Sequence, residues 1–396
     1  MKKFISYWTV LILMFLVGCK DYEVGQFPVD NTPPQPVSDA VVENLPGRVK
    51  ITYKLPNETD LLYVKAVYYN SLGVKMEVKA SSFKNTIEIK GFGKSDDQTI
   101  HLIAVDRSQN ESEALPVKIK PLDSPIYAVR ETLQAVETWG GVKLMWENPS
   151  REQLIVKVLK DEDNEQIEID TFYSTELTAE NSTRGLDSIP QVFRIFIKDI
   201  YENTTDTLVT TIKPRYEMEL PTGKFKEMDL GTDYEVSQYS NGWNKLWDGL
   251  YGVEGSMYYL NIKGNVTFSY FTIDLDATYK LSRTRVWGRT NYAYALHNPR
   301  YFEFWGTDDL DAARNKDSWD GWTRLIECES YKPSGSASGV VTSEDQIYAE
   351  AGEEFEFPDD VINVRYIRFR CNETWTKSKN LCIGELRFWG QEVKIK

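Results

Sequence analysis

An all-β protein is what this 396-residue sequence predicts, with β-sandwiches in tandem followed by a larger domain of strands. Three observations carry that expectation. Apolar and polar residues alternate with period two over short runs, one offset aligns two consecutive segments with each other, and the last segment departs from both in composition.

The alternation is plain in Val49, Ile51 and Tyr53, and again in Ile195 and Ile197, where every second side chain would face a core. Turn residues separate such runs at Ser71 to Gly73, Ser108 to Asn110 and Asp161 to Asn164. Short strands with regular turns and no helical period describe a sandwich. Setting Ile100 to Pro121 over Phe193 to Pro214 then reveals the repeat, at an offset of 93. Asp106 falls on Asp199, Asn110 on Asn203, Leu115 on Leu208, Ile119 on Ile212 and Pro121 on Pro214. The same offset places Val49, Lys50, Ile51, Tyr53 and Pro56 on Val142, Lys143, Leu144, Trp146 and Pro149, so the first two domains are copies.

From about Gly223 onward the composition changes, with eight of the chain's eleven tryptophans lying there. Strands are the elements expected throughout this segment: Phe271 to Leu275, Thr284 to Trp287, Tyr301 to Trp305, Arg365 to Phe369 and Gly384 to Trp389 all alternate.

At the other end, Lys2 and Lys3 precede an apolar run from Tyr7 to Val17, the layout of an export signal. Leu16, Val17, Gly18 and Cys19 have the spacing of a lipobox, so Cys19 is the expected site of lipidation. The run is shorter than the roughly 20 residues that span a bilayer, which makes the chain anchored rather than spanning. Lys20, Asp21, Tyr22 and Glu23 read either as a surface-export signal or as the start of a solvated tether continuing through Pro28, Pro33, Pro34 and Pro36. The net charge of −14, which becomes −16 once Lys2 and Lys3 leave with the signal, argues against nucleic acid and, less strongly, against highly sulfated polysaccharide. Beyond Cys19 stand Cys328, Cys371 and Cys382. Export permits a bridge between Cys371 and Cys382, and three buried small hydrophobes account for the same residues.

Two resemblances sharpen this outline. Val142-Lys-Leu-Met-Trp-Glu-Asn-Pro149 and Ile103-Ala-Val-Asp-Arg-Ser-Gln-Asn-Glu-Ser112 resemble the second and sixth strands of fibronectin type III domains, although Ile100 and Phe193 stand where such domains usually carry a corner tyrosine. Leu246-Trp-Asp-Gly249, Phe271-Thr-Ile-Asp-Leu275 leading to a lysine- and serine-bearing turn, Phe302-Glu-Phe-Trp-Gly-Thr-Asp-Asp309, Trp322-Thr-Arg-Leu325, Val364-Arg-Tyr-Ile-Arg-Phe369 and Ile383-Gly-Glu-Leu-Arg-Phe-Trp-Gly390 resemble, in that order, the discoidin (F5/8 type C, galactose-binding-like) module. The expected architecture is therefore two tandem Ig/fibronectin III-like β-sandwiches followed by a discoidin-like jelly roll: signal peptide 1–18, lipidated cysteine and tether 19–33, sandwiches 34–122 and 123–216, jelly roll 223–396. That layout is similar to lipoproteins of Bacteroides polysaccharide-utilisation systems. The resemblance implies a surface protein that binds a polysaccharide or oligosaccharide without cutting it, held in the outer membrane by its lipid beside a glycan transporter complex.

Loops at one end of a jelly roll are where ligands bind. Arg289 matches an arginine that carbohydrate-binding discoidin modules place in such a loop, and Asn291, Tyr292, Tyr294 and His297 add the flat and polar groups that sugars need. Those tyrosines could equally pack the loop onto the barrel. Trp375 stands where relatives place a stacking aromatic, and Trp243 is a further candidate, whereas Trp287, Trp305 and Trp389 lie on strands and are expected to pack. Asp248 and Glu385 align with carboxylates that hold a structural calcium in many such modules, and a turn cap and a strand edge account for them as well. Catalysis has little support, since His101 and His297 are the only histidines and no carboxylate pair stands out among sixty acids. An adhesion protein using the same module on protein or lipid is the alternative from another class, and a glycosidase the third.

Overall fold

The protein is described by a computed structural model for residues 30–228, 234–236, 242–251, 258–262, 269–315 and 318–394. Cys19, the export signal and most of the tether lie outside the described residues. The chain is overwhelmingly β, as the alternation predicts.

The first sandwich opposes a three-stranded sheet, Ser38–Leu45, Arg48–Lys54 and Thr86–Lys90, to a four-stranded sheet in the order Lys75–Ser81, Leu61–Tyr69, Gln98–Asp106 and Leu115–Ile119. Every second residue of Arg48–Lys54 is buried, and those three, Val49, Ile51 and Tyr53, enter one core with Ile87, Ile89, Ile100 and Leu102. The second sandwich repeats this plan. Gln134–Thr138, Gly141–Glu147 and Thr178–Thr183 face Glu165–Ser174, Leu154–Glu162, Gln191–Lys198 and Leu208–Ile212, around Val142, Leu144, Trp146 and Phe193. Ile100 and Phe193 are fully buried apolar residues, so the core is closed without a corner hydroxyl.

The repeated polar residues are explained by one turn built twice. Asp106 accepts the backbone N–H of Asn110 at 2.8 Å and its side-chain amide at 2.9 Å, and Asp199 does the same for Asn203 at 3.0 and 2.8 Å. Beyond each turn a hydroxyl, Ser112 in one copy and Thr205 in the other, accepts the backbone N–H of Ala104 or Ile197. Buried main-chain donors at the strand ends are thus satisfied. These residues recur because they fix a bend.

The third module is a jelly-roll-like pair of sheets. Its larger sheet runs Met218–Glu219, Glu385–Glu392, Ser269–Trp287, Val364–Thr374, Pro299–Thr307 and Thr323–Glu329, and a smaller one pairs Tyr234–Val236, Tyr258–Ile262 and Leu381–Ile383. Phe271, Phe302, Phe304, Phe369 and Phe388 fill the core between them. The sequence predicts two strands, Phe271 to Leu275 and Thr284 to Trp287, with a turn between. Instead, one 19-residue strand runs from Ser269 to Trp287. It passes from one partner strand to another through register shifts at Asp274/Tyr279 and Leu281/Arg283, and Asp276 takes φ +72° there. Such bulges bend a strand without ending it.

Helices also break the strands-only expectation. Pro125–Thr132 links the sandwiches, with Pro125 at its start, where the missing N–H costs nothing. Ser343–Ala351 begins at a capping box formed by Thr342 and Asp345. A short third helix covers Leu310–Arg314. None among the described residues is long and apolar enough to cross a membrane. Cys328, Cys371 and Cys382 are buried thiols, so the bridge weighed for Cys371 and Cys382 gives way to the small-hydrophobe alternative.

Second sandwich and jelly roll meet through charges. Arg215 forms a double hydrogen bond with Asp359 at 2.9 and 3.2 Å, and the Trp139 indole donates to the same carboxylate. Arg184 reaches Glu354 and Glu356 from the sandwich side. Below them Glu217 is almost wholly buried and accepts from Arg283 and from the Ser282 hydroxyl. Gly140, at φ +63°, comes so close that a Cβ there would stand 2.8 Å from Glu217.

Candidate functional site

The loop predicted to bind lies between Ser269–Trp287 and Pro299–Thr307, as the sequence places it, and a short 3-10 turn at Thr290–Tyr292 gives it shape. Its organiser is Asn298, which the sequence reading did not single out. The buried Asn298 side chain accepts the Arg289 N–H at 2.7 Å and donates to the carbonyls of Arg289 and Tyr292. An amide supplies both donors and an acceptor, so one residue closes the whole loop.

Around that staple the candidate residues separate. Arg289 folds back along the loop, its Nε donating to Asn291 and its guanidinium lying 4.2 Å from the centre of the exposed Tyr292 ring. Tyr294 turns inward at φ +52°, buried, with its hydroxyl lacking a hydrogen-bond partner among the described residues. Burial pushes that phenol far above its ordinary pKa. His297 bonds through Nδ1 to the Ser378 hydroxyl at 2.7 Å, and burial, then the charge of Arg289, lowers its pKa.

Trp375 is brought to this loop from the turn after Val364–Thr374. Its backbone N–H donates to the Asn298 carbonyl, its ring meets Tyr294 edge-on at 5.2 Å, and its indole N–H points to the Ser330 hydroxyl at 3.3 Å. Ser330 in turn donates to Glu353, which also accepts the Tyr331 N–H at 2.7 Å. Burial raises the Glu353 carboxyl to about 7, against those two hydrogen bonds. Half-buried, Trp375 borders a cleft of about 560 Å³ lined also by Arg300, Glu329, Tyr331 and the 335–338 loop.

Trp243 takes another place. It lies edge-on to Phe271 at 5.5 Å and packs against the core. Among the strand tryptophans, Trp287 is buried and Trp389 lies beneath the Arg283 guanidinium at 4.0 Å, so both pack as expected.

Asp248 and Glu385 do meet at one turn. Both oxygens of the buried Glu385 face the Gly249 N–H, at 3.1 and 3.2 Å, while Asp248 caps the Leu250 N–H. Their charges are matched by protein cations, Lys245 on Asp248 and Arg387 on Glu385. No group of three or more His, Cys, Asp or Glu converges among the described residues, and the 252–257 stretch that follows this turn lies outside them. The link between the ends of the module is already made by hydrogen bonds.

These features define a multi-module β protein with an aromatic, polar cleft at the loop end of its last domain. Three domain families, each described as a domain of unknown function, match the chain in tandem: DUF4959 over residues 34–121, DUF5126 over 122–223 and DUF5000 over 247–390. Among solved structures, the SusE-like protein BT2857 is 32% identical over 68% of this chain and 100% of its own, with a TM-score of 0.44. A carbohydrate-binding module, CBM32-3, from a family 31 glycoside hydrolase of Clostridium perfringens is 16% identical, over 44% of this chain and 95% of its own, at a TM-score of 0.32. A fragment of a putative chitobiase from Bacteroides thetaiotaomicron is 17% identical, over 45% and 96%, at 0.31. No match to a curated protein was found. On the identity to BT2857 along that protein's whole length, the chain belongs to the SusE-like family.

Proposed function

We propose that this SusE-like protein is a non-catalytic, lipid-anchored accessory of a polysaccharide-utilisation system, which binds glycan at the loop end of its third module and holds it near an outer-membrane transporter. The observation that carries this reading is Trp375, whose half-exposed indole is held by Tyr294 and Ser330 and whose backbone N–H is held by the Asn298 carbonyl, at the edge of an open polar cleft. A fixed aromatic face beside hydrogen-bonding groups suits a sugar ring, which stacks its C–H face and bonds through its hydroxyls. The fibronectin-like and discoidin-like identities of the modules belong to the same proposal, with the sandwiches as spacers between membrane and cleft.

Binding to a panel of soluble polysaccharides, followed by affinity electrophoresis, tests the reading. Trp375→Ala should weaken affinity about tenfold to a hundredfold, the loss expected of a central aromatic contact. Unchanged retardation of a folded variant by a glycan that the wild type binds would remove Trp375 from the site.

The anchor is tested separately. Cys19→Ser should leave the protein in the soluble fraction, because the lipid supplies the membrane affinity. A variant that still sediments with outer membrane would show that something other than Cys19 holds it there.

A further inference from the structure

Arg300 occupies the cleft beside Trp375 in an unusual state. Its guanidinium lies 4.9 Å from the Trp375 ring centre and 4.9 Å from that of Tyr301, and its Nε is buried without a hydrogen-bond partner among the described residues. Its nearest carboxylates, Glu329 and Glu373, stand 3.9 Å away, too far for hydrogen bonds. An arginine presents five donors in a rigid fork, and these are oriented by aromatic rings rather than consumed by partners. Glu329, which also faces the Tyr301 hydroxyl, is largely exposed to the cleft. The second cation, Lys332, is spent on structure: its ammonium donates to the carbonyls of Ser336, Ala337 and Val340 and so holds the loop that lines the cleft.

We propose that this cleft takes a neutral glycan, with Arg300 donating to two adjacent ring hydroxyls and Glu329 accepting from the sugar, while Trp375 stacks on the ring. The inference rests on the glycan-binding reading above and adds the ligand class and the polar residues that grip it. Charge decides the class. Arg300 is the accessible cation on the cleft lining, with Lys332 buried against its three carbonyls; Glu329 on the lining and Glu373 just outside it, each 3.9 Å from Arg300, offset these two charges, and the chain as a whole carries −14, so a polyuronate or sulfated chain meets net repulsion. A vicinal diol, by contrast, matches the fork of a guanidinium and gives neighbouring carboxylates hydroxyl donors to accept. Arg289, already bonded to Asn291 and lying over Tyr292, is assigned to the loop rather than to the sugar.

The test uses the mature chain in affinity electrophoresis against neutral polysaccharides (galactomannan, xyloglucan, amylopectin, arabinan) and acidic ones (polygalacturonate, alginate, chondroitin sulfate). Retardation by at least one neutral polymer, insensitive to added salt, and by none of the acidic ones is expected. Arg300→Ala should weaken binding about tenfold to a hundredfold, and Arg300→Lys, which keeps the charge but loses the fork, nearly as much. Arg289→Ala should bind as the wild type does. Normal binding by both folded Arg300 variants, with Trp375→Ala defective, would overturn the cleft assignment while leaving glycan binding in place. Salt-sensitive retardation by an acidic polymer would overturn the ligand class. If no polymer retards the wild type, the glycan-binding reading itself falls and this inference with it.

Discussion

Glu217→Ala should destabilise the third module by about 3 kcal/mol, the lower end of what breaking a buried ion pair costs. The Glu217 side chain is 4% exposed, and it accepts Arg283 Nη2 at 2.9 Å and the Ser282 hydroxyl at 2.6 Å. Arg283 is as deeply placed, stacked on Trp389, and after the substitution it would keep a bond to Glu354 but lose its main counter-charge. The residual pair to Glu354 is why the cost sits at the low end. For a domain of this size that loss corresponds to a melting transition lower by roughly 6 to 12 °C. Glu217→Gln keeps an acceptor for Ser282 and should lose less. Pairing Glu217→Ala with Arg283→Met should recover part of the deficit, since no buried cation is then stranded. A Glu217→Ala protein that melts within a degree of wild type would show that the pair contributes nothing to the fold.

That network was invisible in the sequence for a physical reason. Glu217 lies 66 residues from Arg283, and the ion pairs join one module to the next, so no local periodicity marks them. The strands were legible because burial on alternate faces imprints itself on every second residue, as in Val49, Ile51 and Tyr53. The repeat was legible because the Asp106 and Asp199 turns demand the same side chains twice. What the alternation hid was continuity: a bulged strand and two strands with a turn look alike between Asp274 and Arg283. The helix at Ser343–Ala351 had a readable signal in Thr342 followed three residues later by Asp345, and Pro125 after Ser124 marked another.

At the candidate site the sequence located the loop and Trp375 but not the groups that order them. Asn298 is one asparagine among many until the fold turns its amide onto two carbonyls. Arg300 stands just before the strand that the alternation marks from Tyr301, where the structure begins the strand at Pro299, and its donors without hydrogen-bond partners among the described residues become apparent when Trp375 and Tyr301 are placed against it. Tyr294 shows the converse, a residue chosen for its ligand-like chemistry that the backbone turns into the protein.

Glu353 behind Trp375 makes stability depend on pH. Burial raises its carboxyl to about 7, and the groups facing it, Cys328, Tyr294, Tyr331 and Tyr348, bring no cation to offset that. A carboxyl whose pKa is higher in the folded chain than in the unfolded one binds its proton more tightly when folded. Its penalty is therefore absent below the unfolded value near 4.5, grows as pH rises toward 7, and is constant above that. The shift corresponds to about 3 kcal/mol at most, at roughly 1.4 kcal/mol per unit. Glu353→Gln copies the protonated form, with one acceptor left for the Ser330 hydroxyl or the Tyr331 N–H. It should be more stable than wild type by about 1 to 3 kcal/mol at pH 8, and the two should converge near pH 5. Urea unfolding at both pH values measures this directly. An offset between the proteins that is the same at pH 5 and pH 8 would mean that Glu353 does not titrate in this range, and that the Ser330 hydroxyl presents Trp375 with the same partner at every pH between.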